Sequence, residues 1–215
     1  MKKSTIISLG IVFLSFGIAF YFYGSMPETV ASHWNAQGQV NGSMSKFWGL
    51  FLMPLISSVM FLLFWAIPKV DPLKANIDKF RKYFDALIVL IFVFLFYIYL
   101  LTIFWNLGYR FDMSRFLAPA MGVLFYACGF MIEKAKRNYS IGIRTPWTLY
   151  SDAVWDKTHK LGGKLFKTAG SLALLGVIFP DRAIFFILIP VILAAIFSFV
   201  YSYLVYRKEI KNHDA

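Results

Sequence analysis

Charge is scarce in this sequence of 215 residues: Asp, Glu, Lys and Arg make up 15% of it, where soluble domains carry about 25%. Cysteine is scarcer still. The one example, Cys128, lies inside an apolar run, which excludes an intrachain disulfide and every CxxC or Cys/His zinc spacing. It reads as an inert buried thiol. Histidine occurs three times, with no HExxH pair, and no Gly-rich phosphate loop is present. Acid is in deficit, 11 Asp and Glu against 22 Lys and Arg, for a net charge of +11. In a soluble chain that excess points to nucleic acid. Here the basic residues sit between apolar runs, where insertion topology and lipid headgroups account for them and direct nucleic-acid binding is not expected.

Apolar residues are what the chain has in abundance, at 59%, with aromatics at 20%. They gather into six segments, roughly 5–23, 47–67, 83–105, 116–132, 165–179 and 183–206. Crossing a bilayer takes about 20 residues. The fold class expected is therefore all-α: an integral membrane helical bundle of about six transmembrane helices, forming one membrane domain over 1–215. The fourth segment is marginal and the fifth short. Lys164 and Lys167, snorkelling to the interface, extend the fifth, and a re-entrant segment is the alternative. Tyr21, Tyr23, Trp48, Trp105, Tyr201, Tyr203 and Tyr206 fall where segments leave hydrocarbon, as an aromatic belt requires. Pro54 and Pro190 lie inside segments, which membrane helices tolerate.

The Lys and Arg distribution sets the orientation. Lys2 and Lys3, five residues in 68–82, eight in 133–167 and three in the tail total 18, against Lys46, Arg110, Arg115 and Arg182 on the other side. The positive-inside rule then places both termini in the cytoplasm of a multi-pass membrane protein. The first run outlasts a signal h-region of about 7–15 residues and ends without Ala-x-Ala, so it reads as an uncleaved first helix. Ionisable residues are nearly absent from the spans, which weighs against proton pumps and ion-coupled transporters.

Two polar stretches are longer than a connection requires. The outer one, 24–46, holds Pro27, His33-Trp34-Asn35, Gly38, Asn41 and Gly42, a composition for tight turns. His33, Trp34 and Asn35 are candidate ligand contacts. The alternative is local: Trp34 anchors the loop at the interface and His33 hydrogen-bonds nearby. One His with Glu28 is a weak metal signal, and no metal is expected. The inner stretch, 133–164, is denser. Ser151 is a good N-cap, and Val154, Thr158, Leu161 and Leu165 share one helical face. A cytoplasmic surface helix is expected from Ser151, with Trp147 and Trp155 at headgroup depth and Gly162-Gly163 bending it. Arg144, in an apolar run, must find a phosphate, carboxylate or carbonyl. Asp152, Asp156 and His159 offer an acid/base group, but salt bridging with Lys157 and Lys160 competes and no nucleophile has a partner. No catalytic residue and no cofactor is expected, and the chain does not read as an enzyme.

The run Asn138-Tyr139-Ser140-Ile141-Gly142-Ile143-Arg144-Thr145-Pro146-Trp147-Thr148-Leu149, followed by Val154-Trp155, Thr158-His159 and Gly162, resembles the signature of the SdpI family of bacterial immunity proteins. Pro27, His33-Trp34-Asn35, Gly38 and Lys46 resemble the domain of unknown function that precedes it in many members. The resemblance implies protection against a secreted, membrane-active peptide toxin. It also implies signalling, in which an ArsR-type repressor is sequestered at the membrane. On this reading His33, Trp34 and Asn35 meet toxin, while Asn138, Arg144, Pro146, Trp147, Trp155, Thr158 and His159 hold the fold or a cytoplasmic partner. Two other classes stay open: a transporter with a polar cavity lined by Ser57, Ser58, Thr102 or Asn106, and a membrane enzyme using the Asp152, Asp156 and His159 group. Small residues such as Gly10, Gly17, Gly170 and Gly176 allow close helix approach, within one chain or between chains.

Overall fold

Long apolar runs in hydrocarbon must satisfy every backbone N–H and C=O internally, and only a helix does so within one segment. The computed structural model describes residues 2–213, with side chains through Ile210. The long apolar helices are α1 (Lys3–Phe22), α2 (Lys46–Val70), α4 (Arg81–Asn106), α5 (Met113–Lys134) and α8 (Ala183–His213). These are the five stretches long and apolar enough to cross a membrane, the last counted from Pro180 to Ile210. Between them stand α3 (Lys74–Lys79), the single turn α6 (Pro146–Tyr150) and α7 (Asp152–Ala173). The bundle wears its greasy side chains outward: Phe13, Leu62, Ile192 and Phe197 are each more than half exposed. Water would not tolerate such a surface, whereas lipid is its natural solvent. Where Pro54 interrupts α2, the Ser58 hydroxyl donates to the Pro54 carbonyl at 2.9 Å.

The helices sort into two groups. α1, α2 and α4 pack on one another, and so do α5, α7 and α8, with α4 against α5 as the seam. Glycine closes the second group. A Cβ on Gly129 would sit 2.5 Å from the Gly163 carbonyl oxygen, and one on Gly170 would sit 2.5 Å from the Tyr126 nitrogen. Gly122 and Gly129 on α5 face Gly170 and Gly163 on antiparallel α7, each pair seven residues apart, so the two backbones touch directly.

That contact explains what became of the fifth apolar segment. It is not a short separate span. Helix α7 is continuous from Asp152 to Ala173 and is extended by a 3-10 turn, Leu174–Val177. It carries too much charge to be counted among the apolar spans, yet it runs the height of α5. Trp155 donates to the Ala135 carbonyl at one end (2.9 Å), and Gly176 faces Ala118 at the other. Helix α7 packs along α5 and α8 with one face buried and the other exposed. Two expectations are corrected. Gly162-Gly163 do not bend the helix, because they are the points of close approach to Ile143, Ser198 and α5. The helix beginning at the Ser151 N-cap buries one face, with Val154, Trp155 and Thr158 in the core, and keeps Asp152, Asp156, Lys157 and Lys160 exposed on the other. Trp155 is thus a core residue, away from the headgroups. Lys167 reaches a carboxylate as well as the interface, pairing with Glu133 at 2.8 Å.

Both described ends lie on one face. Lys2 pairs with Asp85 at the start of α4 (3.6 Å), and Ser151 donates to Glu209 near the end of α8 (2.8 Å). We call this the motif face. The opposite face carries a structure that turn chemistry alone did not foretell, a two-stranded antiparallel hairpin of β1 (Thr29–Trp34) and β2 (Val40–Ser45). The bundle remains all-α apart from this hairpin.

Candidate functional site: a hairpin face and a motif face

On the hairpin face, Asn106 at the end of α4 receives β1 as an edge would. It accepts from the Ala31 N–H at 2.7 Å and donates to the Ala31 carbonyl at 2.9 Å. His33 Nδ1 lies 2.6 Å from Asn41 Oδ1 across the hairpin. Asn35 builds the turn, its side-chain oxygen accepting from Gln37 N (3.0 Å) and Gln39 N (2.9 Å). Gly38 follows at φ +72°, where a Cβ would meet Asp112, the N-cap of α5, at 2.8 Å. Only glycine permits both that backbone and that contact. Trp34 stands edge-on to Trp105, ring centroids 5.6 Å apart, rather than free at the interface. Of the three outer candidates, His33 faces solvent, Asn35 is the turn's scaffold and Trp34 is half-buried.

On the motif face the loop 135–145 folds over the first turns of α7. Asn138, fully buried, satisfies both ends of its amide: it donates to the carbonyls of Lys136 (2.8 Å) and Ile141 (3.0 Å), and it accepts from Ser140 N (2.9 Å) and Ile141 N (2.6 Å). Arg144 finds a carbonyl, that of Tyr139, at 2.6 Å. Pro146 opens α6 at its first position, where the missing N–H costs nothing. Thr145 and Thr148 form a capping box, and Thr145 reaches Ser202 of α8 at 3.0 Å. Trp147 packs on Phe199 and Tyr203, with centroids 5.2 and 5.0 Å away.

At the centre His159 stacks on Trp155, rings 3.9 Å apart and nearly parallel at 14°. The Ile143 N–H donates to Nε2 at 3.0 Å, so the proton is on Nδ1, which donates to the Trp155 carbonyl at 2.9 Å. Burial pushes the imidazole down to about 4, against smaller opposing effects from the Trp155 hydrogen bond and the Asp156 charge. Gly142, at φ +112°, lets the loop descend onto this ring, since a Cβ there would lie 2.5 Å from Nε2. The acid/base group is not assembled. Asp152 pairs with Arg137 at 2.7 Å and Asp156 with Lys136 at 3.1 Å, while both nitrogens of His159 are engaged by backbone.

The sequence model of the SdpI/YfhL protein family matches residues 134–202, the stretch that holds this loop, α7 and most of α8. That of a domain of unknown function, DUF1648, matches residues 10–57, which hold most of α1, the hairpin and the first half of α2. Over 134–202 the chain is similar to the SdpI family. A curated relative, the Immunity protein SdpI of Bacillus subtilis (strain 168), is 28% identical over 209 residues, covering 97% of this chain and 98% of the relative. No solved structure matches.

The two matched stretches fall on opposite sides of the α4–α5 seam, and polar contacts cross it on the motif face. Asp71, buried between α2 and α3, accepts from Tyr139 N at 3.0 Å and from the Ser140 hydroxyl, and Asn76 donates to the Arg137 carbonyl at 2.8 Å. Sequence reasoning passed over Asp71, although one acid between Val70 and Pro72 beside a strongly basic loop was a signal. It also treated Asn106 as a cavity residue. Ser58, Thr102 and Asn106 spend their hydrogen bonds on Pro54, Ile98 and Ala31, and Ser57 is buried; of the four only Thr102 borders a described cavity. Among the described residues no group of His, Cys, Asp or Glu could hold a metal ion.

Proposed function

We propose that this protein is a multi-pass immunity protein of the bacterial plasma membrane, protecting the cell from a secreted, membrane-active peptide. The observation that carries the reading is the full-length likeness to an immunity protein, extending through both loops and all the spans rather than one motif. The positive excess on the motif face orients that face to the cytoplasm and turns the hairpin outward, toward the side from which a secreted peptide arrives. His33 and Trp34 are the hairpin residues that would meet it, with Asn35 holding the turn that presents them. Asn138, Arg144, Pro146, Trp147, Trp155, Thr158 and His159 hold the motif face in one conformation. A receptor arm, capture of an ArsR-type repressor at that face, rests on the family resemblance alone.

Expression in a toxin-sensitive strain tests the reading. Survival rises against at least one of a panel of secreted membrane-active peptides, and His33→Ala with Trp34→Ala abolishes the gain at an unchanged level of inserted protein. Unchanged killing across the panel refutes it. The repressor arm fails if detergent-solubilised protein, with and without peptide, retains no ArsR-type repressor.

A further inference from the structure

A groove runs along the α4–α5 seam. Tyr83, Leu87 and Leu90 of α4 border a space of about 310 Å³ together with Ala127 and Phe130 of α5. Leu90 also borders a second space, of about 330 Å³, that continues past Ala120 to Tyr97. The α4 residues recur three and four apart, so the two spaces form one groove along a single helix face. Alanine makes the room: Ala86, Ala120 and Ala127 stand in the stripe where larger side chains would close it. From Tyr83 to Tyr97 the helix rises about 21 Å at about 1.5 Å per residue, more than half of the ~30 Å hydrocarbon core. The motif-face end of the groove is basic. There Tyr83 and Phe130 meet edge to face across the seam, ring centroids 5.6 Å apart. Lys82 of α4 lies over the Tyr83 ring at 4.9 Å, and Lys134 of α5 over the Phe130 ring at 6.0 Å. Both lysines are exposed, and among the described residues neither pairs with a carboxylate. The acids closest to them in sequence are taken, Asp85 by Lys2 and Arg81, and Glu133 by Lys167.

We infer that this groove holds one anionic phospholipid from the leaflet at the motif face, with a tail lying along Leu90 toward Tyr97 and its phosphate between Lys82 and Lys134. The charges select that occupant. A phosphatidylglycerol headgroup brings a negative charge and no cation, so it neutralises the two ammonium groups, whereas phosphatidylcholine brings a cation that they repel. The tail touches both helix groups and the headgroup takes one lysine from each. The bound lipid therefore fastens a seam that apolar packing alone holds weakly. The site lies away from the hairpin and stands or falls independently of the immunity reading.

The test is native mass spectrometry of the full-length protein in a nonionic detergent, with phosphatidylglycerol and phosphatidylcholine of identical tails as probes. One phosphatidylglycerol is retained saturably, at about 30-fold lower concentration than phosphatidylcholine, since each lysine near an anionic headgroup contributes about fivefold. Lys82→Gln with Lys134→Gln brings the preference close to unity. Lys69→Gln with Lys208→Gln removes the same charge away from the groove and leaves the preference as it was. All four lysines are exposed, so these changes leave the lipid-free thermal midpoint in place. Ala86→Leu on α4 and Ala120→Leu on α5 each narrow the groove and abolish saturable retention with both lysines present. An unchanged preference in the first lysine pair, or an equal loss in the second, overturns the site, because net charge alone is then being read. Wild-type retention in both leucine variants also overturns it, since the headgroup is then held without the groove. Displacement of the lipid by millimolar inorganic phosphate does the same, because a free anion then suffices.

Discussion

Acidifying the motif face should release the loop from His159. The imidazole is held neutral, with Nε2 accepting from Ile143 N and Nδ1 donating to the Trp155 carbonyl. A second proton would place two donors face to face at Ile143 and bury a charge against Trp155. The folded value is about 4 and the ordinary value 6.5, so between these limits the unfolded chain binds a proton that the folded chain refuses. Stability is therefore complete above about pH 6.5, falls as pH drops through the window, and levels off below about 4. At about 1.4 kcal/mol for each pH unit, the loss comes to about 3 kcal/mol. Glu133 and Asp71 also lie near this face, so the wild type alone does not isolate the effect. The measurement is the thermal midpoint in detergent from pH 7.5 to 4.5, for wild type and for His159→Gln, with amide exchange at Ile143 as a local readout. The wild type should lose several degrees more than the variant, and Ile143 exchange should accelerate only in the wild type. Parallel curves for the two proteins would refute the reasoning.

Three other outcomes follow from the packing. Gly170→Leu drives a side chain into the Tyr126 and Gly122 backbone, which cannot move aside as a side chain can. It should cost about 3 kcal/mol or more, seen as a lower thermal midpoint, whereas Gly10→Leu on lipid-facing α1, with open space around it, should cost little. Asn138→Ala strips partners from two buried N–H groups and two carbonyls and should cost about 2–4 kcal/mol. Limited proteolysis in the loop 135–145 should follow. Asp71→Ala cuts the strap across the seam on the motif face, and Gly38→Leu unseats the hairpin tip from Asp112 of α5 on the other. Their combined loss of thermal stability should exceed the sum of the single losses, and strict additivity would show that the α4–α5 contact alone holds the two groups together.

The fold was legible wherever apolarity spoke for itself. The five apolar helices appear within a few residues of the runs that announce them, because in lipid a run of about 20 apolar residues has one low-energy structure. Helix α7 was legible only in part. Its N-cap at Ser151 and its shared face of Val154 and Thr158 pointed to a helix, but its lysines pointed to a surface. Lys157, Lys160 and Lys164 are exposed, and what the pattern did not show is the opposite face, where Gly163 and Gly170 meet α5 in a contact between helices far apart in sequence that one helix's pattern does not encode. The hairpin was missed for a related reason. Its strands are short and polar, and what holds β1 is Asn106, 75 residues away. The candidate residues of the motif face lie together, since a contiguous motif was folding onto its own helix. Trp155, however, was read as a headgroup anchor when its N–H is spent on Ala135.

The two loops that stand out in the sequence do the same mechanical work on opposite faces. Between the helix groups, the α4–α5 seam leaves an apolar groove of about 330 Å³, bordered by Val93, Tyr97, Pro119 and Val123 and open to lipid. In hydrocarbon such a contact gains little, because lipid tails fill the groove as well as side chains do. The relative placement of the groups must then be fixed by polar contacts at the faces, where water makes hydrogen-bond geometry selective. On the hairpin face that role falls to the tip at Gly38 seated on Asp112 of α5; on the motif face it falls to Asp71 and Asn76 holding 137–140.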